Sequence, residues 1–525
     1  MLKSRDGKIV VKEQKVRLLH ARYYLNLLRT VNELYKEGGE NVLVGLQQFD
    51  REWLQIKVGQ AWAAMNIPEL CNEFPDVGSY VLALRLMPLE KIAWREKALE
   101  AALKINDRAS QSVHLSNLGL AYFALGNVNK AIEFYAEAIK IARELGNRRG
   151  ECADLGNLGN GYYTLGNIQK AIEYYNGQLA TAREIGDLRW EGNAVGGLGL
   201  AYMALGNVST AIENYERALL IARNIGDKDS EGVWLSNLGI AYADLGDTHK
   251  AIEFYKRRLA IAQEIRDIHS EANALGNLGN AYNSLGDMRK AIALHEQTMN
   301  LAFEIGDQHA EQKALSNLGN AYYNLGELSK SITLFERALA IAREIGDKRG
   351  EGSNIGNLAV IYANLGDTNK AIQLNEKRLQ IALETGDRRG EAAALGNLGM
   401  TYANLGESNK AIELYERAIV IAREIGNRLQ EETFLGNLGI EYNHLGKVDK
   451  AKEFHERALT IGREIGDRLG EGNALANLGN MAYEEGKKGK GIELMKQAHV
   501  IFKAIESPSA EWAQDKLKEW EEGLK

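Results

Sequence analysis

Proline and cysteine are nearly absent from this chain, 4 and 2 among 525 residues. So few prolines, with scarcely any alternating β-branched runs, point to an almost wholly helical protein. The two cysteines, Cys71 and Cys152, lie far apart without ligand-like spacing. They exclude a disulfide framework and fit a reducing interior. No apolar run is long enough to span a bilayer, and no signal peptide or lipidation motif is present. A cytoplasmic location with no membrane partner is therefore expected, and the sequon at Asn207-Val208-Ser209 is incidental. The net charge of −7 divides unevenly. Residues 1–106 hold 16 Lys+Arg against 13 Asp+Glu, or +3, which leaves −10 for the rest. No concentrated basic face exists, so no nucleic-acid partner is expected; the basic residues before Thr30 read as a solvated helix face. The nine histidines are scattered, with no HExxH and no paired Cys/His spacing. No catalytic residue, no metal ligand and no cofactor follow from such a composition.

Glycine is plentiful, at 54 residues, but it recurs at set places. The stretch ALGNLGNAYNSLGDMRKAIALHEQ from Ala274 returns 40 residues later as ALSNLGNAYYNLGELSKSITLFER from Ala314. An Asn-Leu pair begins at Asn117, Asn157, Asn237, Asn277, Asn317, Asn357, Asn397, Asn437 and Asn477, and the one gap, Gly197-Leu198, keeps the leucine. An uninterrupted period of this length with helical patterning predicts a stacked helical array. The expected fold is all-α: a right-handed α-solenoid of antiparallel helix pairs with ten units over 107–506, an N-terminal helical segment over 1–106 and a capping helix over 507–525.

Within the unit that starts at Asp267, the aspartate precedes the first helix and Glu271 sits in its first turn, where negative charge meets exposed amides. Leu275, Leu278, Tyr282 and Leu285 are expected to face inward. Gly286 and Gly306 stand where left-handed residues would end the two helices, and Ala291, Ile292, Met299 and Leu301 would be buried from the second. Glycine costs a helix about 0.5–1 kcal/mol against alanine, so Gly276 and Gly279 in one helix need a reason. Close helix approach explains Gly279. Small residues at the 276-type position, beside regular asparagines, are what an incoming backbone would need.

This pattern resembles the tetratricopeptide repeat in a 40-residue form. Gly399, Tyr402, Ala411, Tyr415 and Ala418 fall at its signature positions. The text NLGNAYYNLGE…AIAREIGD is similar to the repeats of Pins-type spindle-orientation adaptors and, more distantly, of kinesin light chain. That resemblance implies first helices lining a concave groove for extended peptides, with asparagines on the ligand backbone. The asparagines above, together with Asn160, Asn280 and Asn320, are the candidate contacts, since an amide both donates and accepts. Phe123, Tyr163, Met203 and Tyr323, at more variable positions on the same stripe, would add specificity, with an apolar anchor toward the early units.

The segment from His20 to Ala63 resembles the region that precedes the repeats in bacterial signal-transducing NTPases of the STAND type. It implies the alternative that the chain is the sensing half of such a protein. Nothing matches GxxxxGK[ST], however: the Gly-Lys pairs at Gly7, Gly446 and Gly486 are followed by Ile9, Val448 and Lys488. Before the clear units, Val16, Leu19, Tyr23, Leu27, Val31 and Leu34 are expected to form the apolar face of one helix ending at Gly38-Gly39. Val42, Leu46, Phe49, Trp53, Ile56 and Trp62 would form that of a second. A degenerate unit follows, with Ile92 and Ala98 in the places of Ile132 and Ala138. Near the end, Glu441 and Lys452 replace apolar residues, which implies either a pair or a weak seam. Ala513, Leu517, Trp520 and Leu524 form the stripe of a helix that reads as a terminal cap.

Overall fold

A computed structural model describes residues 3–37, 40–505 and 507–522. Among these the chain forms 26 helices and no strand. It divides into two compact bodies, Met1–Asp244 and Leu245–Lys525. In each body consecutive helices pack as antiparallel pairs, and each pair packs on the next.

The N-terminal helices are α1 (Lys3–Glu37), α2 (Glu40–Asn66), α3 (Pro68–Val77), α4 (Ser79–Arg85) and α5 (Pro88–Lys104). The turn expected at Gly38-Gly39 lies outside the described residues. Gly59 packs on Ala21 and Gly45 on Val31 and Leu34, so α1 and α2 run antiparallel with little between them. The buried face of α1 is Ala21, Leu25, Leu28 and Val31; Val16, Leu19 and Tyr23 are exposed, contrary to expectation. Periodicity alone could not choose, because apolar residues line both flanks of this helix. For α2 the expected face holds, with Phe49 and Ile56 buried and Trp53 packed against them.

α6 (Arg108–Ala124) and α7 (Val128–Glu144) form the first clear repeat, and the same two windows recur down the chain at 40-residue steps. Moved back by 40 residues, the α7 window coincides with α5, and the α6 window begins with α3 and runs into α4. The helices α3 and α4 are thus a first helix interrupted at Gly78, where a Cβ would strike the side chain of Leu28 at 2.8 Å.

Termini repeat as faithfully as helices. The Asp267 carboxylate accepts from the Ser270 amide at 3.1 Å, and Asp or Asn does the same at 107, 147, 187, 307, 347, 387, 427 and 467. Gly286 and Gly306 take φ of 79° and 69°, the left-handed region. Leu285, expected inside, is 40% exposed, since it lies past the last full helical turn.

The glutamate of the first turn does more than meet the helix dipole. Glu431 is buried and bridges Arg423 of the preceding helix at 2.5 Å and Arg428 of its own helix at 2.6 Å, and Arg428 then reaches Glu464. Glu151, Glu351 and Glu471 repeat the bridge. Glu431→Ala would take from Arg423 its acceptor and leave Arg428 with Glu464 alone. A loss of about 1–3 kcal/mol is expected in urea denaturation, against almost nothing for the exposed Arg17–Glu13 pair.

Glu441 and Lys452 do not pair. Lys452 Nζ reaches Glu485 of the following repeat at 2.8 Å, while Glu441 faces His444 on its own helix. That seam is tied by a cross-repeat ion pair. Ala513, Leu517 and Trp520 of the last helix (Ser509–Glu522) are buried, with Trp520 stacked on Tyr483 at 4.2 Å; Leu524 lies outside the described residues.

Candidate functional site

The first helices of successive repeats approach one another within each body, more closely than successive second helices do. Each array therefore curves toward the side of its first helices, which makes that side the inner one. All nine asparagines of the Asn-Leu series lie there, each half-buried, each followed by a buried leucine. Asn160 and Asn280 are exposed one turn on, and Asn320 is half-buried.

Their hydrogen bonding divides the series. Asn117 Nδ2 donates to Val113 O of its own helix at 2.9 Å, and Asn157 Nδ2 donates to Asp154 at 3.3 Å. Asn160 Oδ1 accepts from the Tyr175 hydroxyl at 2.7 Å. Among the described residues, the amides of Asn277, Asn317, Asn357, Asn397, Asn437 and Asn477 have no protein partner, and neither do those of Asn237, Asn280 and Asn320. A half-buried amide without a partner holds both donor and acceptor ready for a backbone. At the gap in the series, a Cβ on Gly197 would stand 2.7 Å from the Tyr175 ring.

The four larger candidates are all half-buried. Phe123, Tyr163 and Tyr323 pack on the cores of their own bodies. Tyr323 also accepts from Asn364 Nδ2 of the next repeat, and Asn324 donates to Asn283 of the preceding one at 3.1 Å. These contacts fix the edge of the inner face. Toward the start of the array a mostly apolar cavity of about 280 Å³ opens among Leu82, Leu86, Trp94 and Leu120, with Asn117 on its wall.

The reason for small residues at the 276-type position is different from the expected one. That position faces the second helix of its own repeat and the next first helix, 22 and 38 residues on. Ser116 donates to Asp154 at 2.6 Å and Ser316 to Asn354 at 2.7 Å. A Cβ on Gly196 would overlap Trp234, and one on Gly396 would overlap Phe434. In these four repeats the residue 22 places on is alanine: Ala138, Ala338, Ala218 and Ala418. Where that residue is large the third is alanine instead. Gln178 covers Gly156 opposite Ala194, Arg378 covers Gly356 opposite Ala394, and Thr298 lies 3.8 Å from the Cβ site of Gly276 opposite Ala314. The three positions share one volume, filled from one side or the other. Sequence reasoning missed this seam because its members lie 22 and 38 residues apart.

Burial governs the electrostatics of the seam. The Asp154 carboxyl is pushed up to about 6 by burial, against the hydrogen bonds from Ser116 and Asn157. Burial lowers the imidazoles of His295 and His455 to about 4. Among the described residues no group of three or more His, Cys, Asp or Glu could hold a metal ion, and no helix is long and apolar enough to cross a membrane.

The family model for the tetratricopeptide repeat matches residues 110–184, 190–264, 270–344, 310–384, 353–424 and 430–504. The chain belongs to the tetratricopeptide repeat family. No curated protein matches it. Among solved structures, it is similar to a Rap protein complexed with Competence and Sporulation Factor, at 15% identity over 68% of this chain and 99% of that one, with a TM-score of 0.48. A STAND protein with a tetratricopeptide repeat sensor from Pyrococcus horikoshii matches at 17% identity over 86% of this chain and 74% of that one, TM-score 0.45. Tetratricopeptide-like repeats of a Podosopora anserina kinesin light chain match at 22% identity over 37% and 95%, TM-score 0.31. Within each body the inner face of this tetratricopeptide array carries amides without a protein partner among the described residues, and glycines such as Gly196 and Gly396 serve the packing beneath it.

Proposed function

We propose that this tetratricopeptide repeat chain is a binding scaffold that holds an extended segment of another protein along the inner face of its first helices. The observation that carries the reading is the run Asn277, Asn317, Asn357, Asn397, Asn437 and Asn477, amides in register at 40-residue steps with no protein partner among the described residues. Such a row offers a peptide backbone a donor and an acceptor at each repeat without reading its side chains. Within the first body, the cavity beside Trp94 and Leu120 would seat an apolar side chain of such a segment.

The test is affinity capture from a lysate of the source cells with the parent protein and with Asn277→Ala/Asn317→Ala/Asn357→Ala. Loss of three charge-free hydrogen-bonding positions is expected to cost roughly 1 kcal/mol each, enough to deplete the captured partner by tenfold or more. Equal recovery of the same partner by both proteins, each verified as folded by circular dichroism, would place binding elsewhere.

A further inference from the structure

The seam between the ninth and tenth repeats breaks the rule of shared volume. Its three residues are Gly436, Ala458 and Ala474, all small, and a Cβ on Gly436 would meet nothing within 4 Å. A cavity of about 470 Å³ lies there. The same place two repeats earlier holds about 230 Å³ and is lined by Arg378 and Asp387. Arg378 stands in the position of Ala458, and Asp387 in that of Asp467, each 80 residues apart. In the fourth repeat Arg258 takes the same position, donates to Ser270 and sits beside Asp267. Twice in this chain, then, a guanidinium from the second helix sits by the aspartate that caps the next helix. In the ninth repeat the aspartate is kept and the guanidinium is not.

The vacated space has acquired a second carboxyl. Glu432 replaces Gly352 of the earlier site; it lines the cavity, is 3% exposed, and its Oε2 has no hydrogen-bond partner among the described residues. A buried carboxyl oxygen without a partner costs about 1–3 kcal/mol, more if charged, so an incoming donor is strongly favoured there. His455 Nδ1, also unpartnered and 2% exposed, lines the same cavity. Trp512 forms part of the wall, a surface on which a planar cation stacks.

We propose that the pocket between the ninth and tenth repeats binds a guanidinium group, held by Glu432 and Asp467 in the place that Arg378 fills in the seventh repeat. The group arrives on an arginine side chain of a bound peptide or on a free small guanidine. For the peptide source this deepens the groove reading above and rests on it, because Asn437 and Asn477 line the pocket.

Binding is coupled to protons. Burial, then a hydrogen bond shared with Asp467 and the charge of that carboxylate, raise the Glu432 carboxyl to about 8. His455 facing it is neutral above about 4, and Glu471 one turn on is already held by Arg463 and Arg468. Glu432 must ionise to meet a cation, so affinity rises with pH from 7 to 9 and binding releases a proton.

The experiment is isothermal titration calorimetry of the full chain at pH 7 and 9, with agmatine, N-acetyl-arginine methylamide and its uncharged citrulline counterpart, each to about 10 mM. Both guanidines are expected to bind, more tightly at pH 9, and the citrulline analogue not at all. Agmatine binding alone assigns a free guanidine; tighter binding of the blocked arginine assigns a peptide. Glu432→Gln is expected to weaken binding about tenfold. Ala458→Arg, which refills the pocket as in the seventh repeat, is expected to abolish binding and raise the melting temperature. The proposal is overturned if neither guanidine binds, if the citrulline analogue binds equally, or if Glu432→Gln leaves affinity unchanged. None of these outcomes bears on the asparagine triple substitution, which leaves this pocket intact.

Discussion

At pH 4 the His295→Phe variant is expected to be more stable than the parent by on the order of 3 kcal/mol, while near pH 7 the two are expected to be alike. His295 is 1% exposed, its ring lies against Gly279, and its Nδ1 has no partner among the described residues. Burial holds this imidazole at about 4, below its ordinary 6.5. The unfolded chain therefore takes up a proton as the pH falls through 6.5, and the native chain does not until about 4. The stability this group supports is present above 6.5 and is lost across that window, at about 1.4 kcal/mol per pKa unit. Phenylalanine fits the site, because Phe335 occupies the same place against Gly319 one repeat later. Asp154 and Glu432, raised by burial, slope the other way: their contribution falls as pH rises toward about 6 and about 8. The informative measurement is thus the difference between variant and parent in urea midpoint at each pH from 7 to 4. A constant difference would mean that His295 titrates as it does in water.

The second large effect is a reversal of sign. Gly399→Ala is expected to cost about 2 kcal/mol in the parent and to gain about 0.5–1 kcal/mol in the Tyr415→Asn background. A Cβ on Gly399 would sit 2.7 Å from the Tyr415 ring, which is 2% exposed and fixed by its neighbours. The two helices must then separate, and that strain outweighs the helix propensity gained. The chain contains the compensated pair already: the seventh repeat has Ala359 in place of the glycine and buries Asn375 where eight others bury a ring and the tenth buries Met495. A double-mutant cycle by chemical denaturation reads the coupling directly. Additive effects would show that the helices part freely and that the glycine is not held by the tyrosine.

The solenoid was legible from period and helical patterning, because stacking demands the same buried leucine in every repeat and a glycine facing a ring in most of them. Asn277 and its equivalents could be placed on the first helix and away from the leucines. The seam could not be read, since Gly196 makes sense only with Trp234, and Gly156 only with Gln178, across helices whose separation in space the period does not give. The face of α1 was misread for a related reason. Val31 is buried as expected, but Val16, Leu19 and Tyr23 obey helical spacing as well as Ala21, Leu25 and Leu28 do, and only the position of α2 decides between them. Glu431 holds the place in which Glu271 was read as a dipole partner, because its arginines lie 8 residues before it, in another helix, and 3 before it, where the spacing looked ordinary.

The seam also sets where such an array can be cut and rejoined. Each shared volume has one of its three positions in the following repeat, so a repeat excised at its helix caps leaves one partner behind. Joining the eighth repeat directly to the tenth would set Gly396 and Ala418 opposite Ala474, with the volume of Phe434 missing. Duplication or shuffling without a void requires a crossover after the 314-type residue, inside a helix. The module that can be inherited intact is therefore offset by about two helical turns from the module that folds.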